Sequence, residues 1–88
     1  MKVVVKFPPN FRTETGIVSV TLNLTREKSY EELIKDLMKH FQPGLYQKYF
    51  DEEGRLTIFV VVNGVKREPE KMAADGDEIT LYASITGG

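Results

Sequence analysis

The amino-acid sequence predicts an α+β fold in which one main helix packs on one face of a mixed sheet. Three observations support this prediction. Residues 17–24 alternate apolar and polar side chains, as a strand with one buried and one wet face does. Residues 29–41 begin with a capping box and carry apolar residues at helical spacing. Residues 56–62 form an apolar run that ends at Asn63-Gly64, a favoured hairpin turn.

The first half of the chain is expected to open with a hairpin. A strand is predicted over residues 2–7, with its odd-numbered residues on one face. Because proline cannot donate to a sheet ladder, Pro8-Pro9 ends this strand, and a loop is expected from there to Gly16. The second strand, residues 17–24, turns its even-numbered apolar residues inward and pairs with the first strand in antiparallel orientation.

The main helix is predicted from Ser29 to the Pro43-Gly44 stop signal. Ser29 and Glu32 form the capping box, in which the Ser hydroxyl accepts from a free amide and the Glu reaches back. Its apolar stripe is assigned to the core: Tyr30, Leu33, Ile34, Leu37, Met38 and Phe41. His40, the only histidine, lies near the helix C-terminus, where we interpret it as a favourable end charge rather than a catalyst.

The second half continues the sheet. Residues 45–55 are weakly patterned; their aromatic residues are expected to cover one edge of the core, and residues 51–54 to form a surface turn. Strands are predicted over residues 56–62, 65–67 and 78–84, with a connector, containing a helical turn at most, over residues 69–74 and a tight turn at 75–77.

The resulting order, strand, strand, helix, strand, short strand, strand, fits a β-grasp fold. This fold has a mixed four- to five-stranded sheet whose first and last strands lie side by side in parallel at the centre. We expect the domain to span residues 1–84 and residues 85–88 to form a flexible C-terminal tail.

Composition narrows the function classes. At 88 residues the chain has room for one core. Its net charge of −1 provides no strong electrostatic attraction to nucleic acid or to anionic membranes. The absence of cysteine excludes disulfides, a thiolate nucleophile and Cys-ligated metals. The N-terminal stretch does not read as a signal peptide, and no apolar run approaches the ~20 residues of a membrane span. We therefore expect a cytoplasmic protein.

The sequence ends in Ile85-Thr86-Gly87-Gly88. Glycine has no side chain, so a diglycine end fits a slot that is too narrow for other residues and presents its carboxylate inside a partner's active site. At ~3.3 Å per residue, residues 85–88 reach on the order of 13 Å when extended. Chance and a cloning remnant are the alternatives to this functional interpretation.

Several blocks occur in a fixed order along the chain: Phe7 through Phe11-Arg12 to Gly16, Phe50-Asp51-Glu52-Glu53-Gly54-Arg55-Leu56, Val61-Val62-Asn63-Gly64, Asp75-Gly76-Asp77-Glu78-Ile79, and Gly87-Gly88. Together they resemble the MoaD/ThiS group of ubiquitin-like sulfur carriers over most of the chain. The middle block and the length are similar to MoaD-type members rather than to ThiS. One departure is Ala83-Ser84-Ile85, where MoaD proteins often carry prolines.

The resemblance implies chemistry at the carboxylate of Gly88, with Gly87 permitting close approach. A ubiquitin-activating-enzyme-like adenylyltransferase would use ATP and Mg²⁺ to form an acyl-adenylate, and sulfur would replace AMP to leave a C-terminal thiocarboxylate. The chain would be a carrier rather than an enzyme, with no metal site and no permanently bound cofactor. Implied partners are this adenylyltransferase, the molybdopterin synthase large subunit and, for a modifier, target-protein lysines.

Partner docking is expected on the sheet face that the helix leaves open. The even- and the odd-numbered residues of 58–62 are all apolar, and the two sets point to opposite faces of the sheet. The set that faces away from the helix therefore has to be exposed or covered by another segment. We predict a patch of Val4, Phe59, Val61 and Tyr82, with Ile85 and Thr86 setting the register of the tail. The alternative is that residues 45–55 fold over this face.

Three functions remain open at this point. The first is a MoaD-like small subunit of molybdopterin synthase that donates sulfur in molybdenum cofactor biosynthesis. The second is a ubiquitin-like modifier joined through Gly88 to lysines of target proteins, as in the small archaeal modifier proteins. The third is a plain β-grasp interaction domain. The sequence does not decide between pterin, thiazole and tRNA as the final sulfur acceptor, nor does it give the oligomeric state.

Overall fold

A computed structural model describes residues 1–41 and 43–82, which form five strands and three helices. The strands are β1 Lys2–Lys6, β2 Ser19–Asn23, β3 Phe59–Val62, β4 Val65–Arg67 and β5 Glu78–Tyr82. The helices are α1 Pro9–Thr15, α2 Tyr30–Phe41 and α3 Pro43–Tyr49. The predicted tail and its boundary at residues 84 and 85 lie outside the described residues.

The five strands form one mixed sheet in the order β2-β1-β5-β3-β4. β1 and β5 are parallel neighbours at its centre, and Val5 lies beside Ile79. The other neighbouring pairs are antiparallel. This topology confirms the predicted β-grasp architecture.

The core lies between one face of the sheet and α2. Val3, Val5 and Phe7 of the first strand region are completely buried, as the alternation predicted. The described stripe of α2 is buried with them: Tyr30, Leu33, Ile34, Leu37 and Met38. Burying such side chains contributes roughly 1.5–3 kcal/mol each, so this cluster is the main source of stability.

The N-terminus of α2 is held by its cap and by the connector that precedes β5. The Glu32 amide donates to Ser29 Oγ at 3.1 Å, as the capping box predicted. The Tyr30 amide donates to the Lys71 carbonyl at 3.0 Å, and the Glu31 amide to the Pro69 carbonyl at 2.8 Å. The connector therefore uses its carbonyl groups to satisfy helix amides that have no partner within the helix.

The expected loop after β1 is wrong, because residues 9–15 form helix α1. Proline suits the first helical position, since its missing N–H is not needed there. Phe11 is fully buried and stacks on Phe7, with ring centroids 4.1 Å apart. Gly16 ends the helix at φ 76°, where its amide donates to the Arg12 carbonyl at 2.7 Å.

A second helix also replaces an expected irregular stretch. α2 ends near Pro43 as predicted, but Pro43 then opens α3 instead of a loop. Tyr49 and Phe50 are buried in the core, and Tyr46 stacks on Phe50 with centroids 4.7 Å apart. The predicted role of these aromatics at the edge of the core is confirmed. The turn at residues 51–54 is also present, with Gly54 at φ 79°.

β1, β2 and β3 are shorter than predicted. β1 ends at Lys6 instead of residue 7, and β2 ends at Asn23 instead of residue 24. β2 begins at Ser19, and Val18 is more than half exposed instead of facing the core. β3 begins at Phe59 rather than at residue 56, because Leu56 makes an isolated bridge with Phe50 outside the sheet. The connector at residues 69–74 contains turns and no helical turn. No helix among the described residues combines the length and apolar character that crossing a bilayer requires.

Candidate functional site

The C-terminal end of β5 is the point from which the predicted tail departs. β1 and β5 are parallel, so their C-terminal ends lie at the same edge of the sheet. β5 lies between β1, which pairs with it as far as Thr80, and β3, which pairs with it as far as Tyr82. The chain thus leaves its last described strand from the centre of the sheet. The predicted tail residues, Ile85, Thr86, Gly87 and Gly88, lie outside the described residues.

Two aromatic side chains occupy the sheet face opposite α2 beside this exit. Phe59 and Tyr82 are cross-strand partners, and 39% and 52% of their surfaces are exposed. Val60 and Leu81, the neighbours of these residues on the same strands, point the other way into the core. Directly opposite residues of an antiparallel pair have adjacent side chains, so the two rings form one exposed surface.

The two valines of the predicted patch are less exposed than the aromatics. Val4 and Val61 are both half-buried. Val4 lies on β1 beside Glu78, and Val61 on β3 beside Thr80, so both share the face of Phe59 and Tyr82. We call these four residues, Val4, Phe59, Val61 and Tyr82, the outer patch.

Residues 45–55 do not cover the outer patch. α3 packs against α2, and Tyr49 lies in the core with its ring centroid 6.4 Å from that of Phe11. Phe50 is also buried in the core, beneath the Lys35 ammonium, which is 5.8 Å from its ring centroid. The alternative in which this stretch folds over the open face is therefore wrong.

Charged side chains border the aromatic pair. Lys66 Nζ lies 4.3 Å from the ring centroid of Phe59, within the range of a cation–π contact. Lys6 Nζ and Glu78 Oε1 form an exposed ion pair at 2.7 Å on the neighbouring strands. The outer patch is thus a small apolar surface with a charged border, which is the usual anatomy of a protein-binding site.

Arg12 also lies at this end of the sheet, and no role was predicted for it from the sequence. Its Nε donates to the Phe7 carbonyl at 2.7 Å, which fixes the guanidinium beside the C-terminal end of β1. Among the described residues, no carboxylate oxygen lies close enough to Arg12 for an ion pair. The sequence signal was available, since Phe11-Arg12 belongs to the first block of the resemblance.

A buried polar network anchors the other end of β5. The Asp77 carboxylate, 7% exposed, accepts hydrogen bonds from Tyr30 Oη at 2.8 Å, the Ala74 amide at 2.8 Å and Asn63 Nδ2 at 3.2 Å. Asn63 Oδ1 in turn accepts from the Glu78 amide at 3.0 Å. The Asn-Gly and Asp-Gly-Asp-Glu turns of the sequence therefore meet, and they tie the start of β5 to α2.

Burial of the phenol and its hydrogen bond to Asp77 raise the pKa of Tyr30 to about 12 from 10.0. Both causes favour the protonated phenol, since an ionised Tyr30 would face the Asp77 carboxylate at hydrogen-bond distance. The phenol is therefore protonated at neutral pH and keeps its hydrogen bond to Asp77. Among the described residues, no three His, Asp or Glu side chains are grouped so as to hold a metal ion.

No protein-family model matches the chain, and no curated protein matches it in sequence. Solved structures do match its fold. SAMP1 from Haloferax volcanii aligns with a TM-score of 0.81 at 22% identity, over 100% of both chains.

Two further structures align over nearly their whole lengths. A putative molybdopterin converting factor subunit 1 from Pyrococcus furiosus gives a TM-score of 0.72 at 22% identity, over 97% of this chain and 99% of its own. Urm1 from Trypanosoma brucei gives 0.71 at 21% identity, over 99% and 95%. The chain therefore has the ubiquitin-like β-grasp fold that SAMP1, this molybdopterin converting factor subunit and Urm1 share.

Proposed function

We propose that this chain is a ubiquitin-like sulfur carrier whose C-terminal Gly88 carboxylate is activated by a partner enzyme. In this proposal it acts as the MoaD-like small subunit of molybdopterin synthase and donates sulfur in molybdenum cofactor biosynthesis. The chain is a substrate and carrier, and its partners supply the catalytic groups.

The observation that supports this proposal is the position of the exposed aromatic pair. Phe59 and Tyr82 lie at the end of β5 from which the chain continues toward Gly87-Gly88. A partner that binds this pair therefore holds the base of the tail. Residues 83–88, when extended at ~3.3 Å per residue, place Gly88 on the order of 20 Å from Tyr82. That reach suits a carboxylate delivered into a buried pocket of the bound partner.

The proposed chemistry needs an activated acyl group, because a carboxylate is a poor electrophile. The Gly88 carboxylate oxygen attacks the α-phosphorus of ATP, which is held with Mg²⁺ by the adenylyltransferase. The bond to the β-phosphate breaks, and pyrophosphate leaves. A hydrosulfide-equivalent sulfur from the partner system then attacks the acyl carbon and displaces AMP, which leaves the thiocarboxylate. The glycines leave the acyl carbon unhindered throughout.

Conjugation to proteins is the second candidate. The fold match to SAMP1, a small archaeal modifier protein by name, has a higher TM-score than the match to the molybdopterin converting factor subunit. In this candidate a lysine amine of a target protein attacks the acyl carbon of the adenylate, AMP leaves, and the amine loses a proton to solvent. The product is an isopeptide bond instead of a thiocarboxylate. Activation at Gly88 is common to both candidates, and one chain can serve both.

The test is mass spectrometry of the protein isolated from its native cells. The sulfur-carrier proposal predicts an intact chain that ends at Gly88 and carries one oxygen-to-sulfur exchange. Alkylation of the thiocarboxylate changes the mass of this species and leaves the unmodified chain unchanged. The modifier predicts peptides of other proteins that carry a Gly-Gly remnant on lysine. A chain that shows neither species, and that the adenylyltransferase of the same organism does not accept, contradicts both candidates.

A further inference from the structure

Strand β2 lies at the free edge of the sheet, and its ladder with β1 fixes which backbone groups point outward. The Phe7 amide donates to the Val18 carbonyl at 3.0 Å, and the Leu24 amide to the Met1 carbonyl at 2.7 Å. Hydrogen-bonded pairs alternate along an antiparallel ladder, so the even-numbered residues of β2 use their amides and carbonyls toward β1. The intervening residues therefore direct theirs away from the sheet: Ser19, Thr21 and Asn23.

This edge lacks the usual protection against strand addition. β2 has five residues, Ser-Val-Thr-Leu-Asn, with no charge and no proline. The opposite edge strand β4 has three residues and carries Lys66 and Arg67. Natural proteins normally blunt an open edge with short strands, lysine or proline. The two edges of this sheet thus differ, and only β4 among them is blunted in this way.

A groove of about 320 Å³, mainly apolar in its exposed lining, runs along the same edge between β2 and α2. Its polar lining residues are Asn23, Lys28, Asp36 and His40. Leu22 and Leu24 line it from the strand side, and Leu33 and Leu37 from the helix. A strand added to β2 would alternate its side chains between the outer face and this groove. Backbone partners and side-chain pockets are thus combined as in peptide recognition by strand addition.

The charges around the groove favour an uncharged segment. Lys28 Nζ and Asp36 Oδ2, both in the lining, form an ion pair at 2.8 Å. A charged side chain entering beside this pair would lose water and compete with one of its members, whereas an aliphatic side chain leaves the pair intact. β2 itself is uncharged, so an uncharged added segment would match it in charge.

A second copy of this chain fits the groove poorly. In a second copy paired edge to edge, the inward side chains of β2, Val20 and Leu22, already pack against that copy's own core. They are not free to fill the groove. An extended segment with no helix covering its own side chains meets both requirements.

We propose that the β2 edge and the β2–α2 groove bind an extended, uncharged segment of a partner protein, with aliphatic side chains at alternate positions. The segment pairs with the outward amides and carbonyls of Ser19, Thr21 and Asn23. This site is separated from β5 by β1, and the inference does not depend on chemistry at Gly88.

The experiment uses the full chain, labelled with ¹⁵N, and a set of synthetic peptides about ten residues long, enough to span a five-residue strand. In these peptides Ile, Leu or Val alternates with Ser or Thr. Binding is expected to slow hydrogen exchange at the amides of Ser19, Thr21 and Asn23 by about tenfold or more. It is also expected to shift the methyl signals of Leu33 and Leu37.

Two matched variants test the backbone hydrogen bonds between the peptide and β2 separately from side-chain contacts. Thr21→Pro removes one outward amide and leaves the bonds to β1 in place, as proline on an edge strand does. It is expected to weaken peptide binding about tenfold or more, while Thr21→Ala, which keeps the amide, binds within about threefold of the wild type. Peptides N-methylated on the positions that face β2 give the same loss if Thr21→Pro does not fold.

Four results would overturn the proposal. The first is that no peptide of the set binds. The second is that Thr21→Pro and Thr21→Ala bind a peptide equally well and that the N-methylated peptide also binds normally. The third is that the signals that shift are confined to Phe59 and Tyr82, and the fourth is that the free chain dimerises through β2.

Discussion

Replacing Tyr30 with phenylalanine removes one donor from the buried network that starts β5. The Asp77 carboxylate keeps its bonds to the Ala74 amide and Asn63 Nδ2, so the carboxylate is not left without partners. The lost bond, 2.8 Å long, has a charged acceptor, and such bonds contribute about 1.5–3 kcal/mol. We expect Tyr30→Phe to lower the free energy of unfolding by about 2 kcal/mol and Tm by roughly 10 °C at neutral pH.

The same variant has a distinctive dependence on pH. The pKa of Tyr30 is raised from 10.0 to about 12 in the fold, so the protonated phenol is the form that the fold favours. Its contribution is complete below pH 10, the pKa of the unfolded chain, and is lost as the pH rises through 12. A shift of two pKa units corresponds to about 3 kcal/mol. The stability difference between wild type and Tyr30→Phe should therefore shrink across this window.

Urea denaturation of both proteins, at about pH 8 and at intervals above about pH 10, measures this difference. The control is Tyr82→Phe, because Tyr82 is half exposed and lies outside the network. A difference between wild type and Tyr30→Phe that is absent at pH 8, or that stays constant up to pH 12, would refute the assigned role of the Tyr30–Asp77 bond.

Three further predictions concern the binding surface, a turn and a helix. Alanine at both Phe59 and Tyr82 should weaken binding to the adenylyltransferase by about tenfold or more, measured by calorimetry, because central aromatics dominate protein interfaces. Gly64→Ala should cost about 1 kcal/mol by urea denaturation, since Gly64 has φ +84° and open space where its Cβ would lie, so only backbone strain remains. Phe11→Ala should cost about 3–5 kcal/mol, because Phe11 is fully buried and stacks on Phe7.

Each of these predictions has its own contradicting outcome. If a folded double variant at Phe59 and Tyr82 binds with unchanged affinity, the outer patch is not part of the binding surface. The matched control is Thr13→Ala, an exposed position on α1. A Gly64→Ala chain that is as stable as the wild type contradicts the strain argument. A loss below about 1 kcal/mol for Phe11→Ala would mean that α1 does not contribute to the core.

Local patterns were enough to predict the sheet and the main helix. The alternation around Val3 and Val5 predicted the buried face of β1, and both residues are fully buried. Asn63-Gly64 predicted the β3–β4 hairpin, and both residues have positive φ angles of 52° and 84°. These features could be predicted because their cause lies within a few neighbouring residues.

The elements that were missed depend on distant partners. α1 has seven residues, too few to be stable alone, and its Phe11 packs on Tyr49, which comes much later in the chain. Asp77 was predicted only as the last residue of a tight turn, yet its carboxylate is buried and accepts a hydrogen bond from Tyr30, 47 positions earlier in the chain. Long-range contacts of this kind leave no periodic signal in the sequence.

Only part of the outer patch could be predicted, because the exposure of some of its residues also depends on distant contacts. The all-apolar run at residues 58–62 indicated that one set of side chains faces away from the core, and Phe59 does so. The degree of exposure of Val4 and Val61 depends on the neighbouring strands, Thr21 and Glu78 beside Val4 and Lys66 beside Val61. The β2–α2 groove was not foreseen, because it exists only once the strand order makes β2 an edge.

The proposed chemistry requires one specific acyl group, and removing it is the most direct test. The full chain and a chain lacking Gly87-Gly88 are each incubated with the adenylyltransferase of the same organism, ATP and Mg²⁺, and the exchange of pyrophosphate into ATP is measured. We predict exchange with the full chain and none with the shortened one, while the two melt at the same temperature. Equal exchange with the shortened chain would contradict the account.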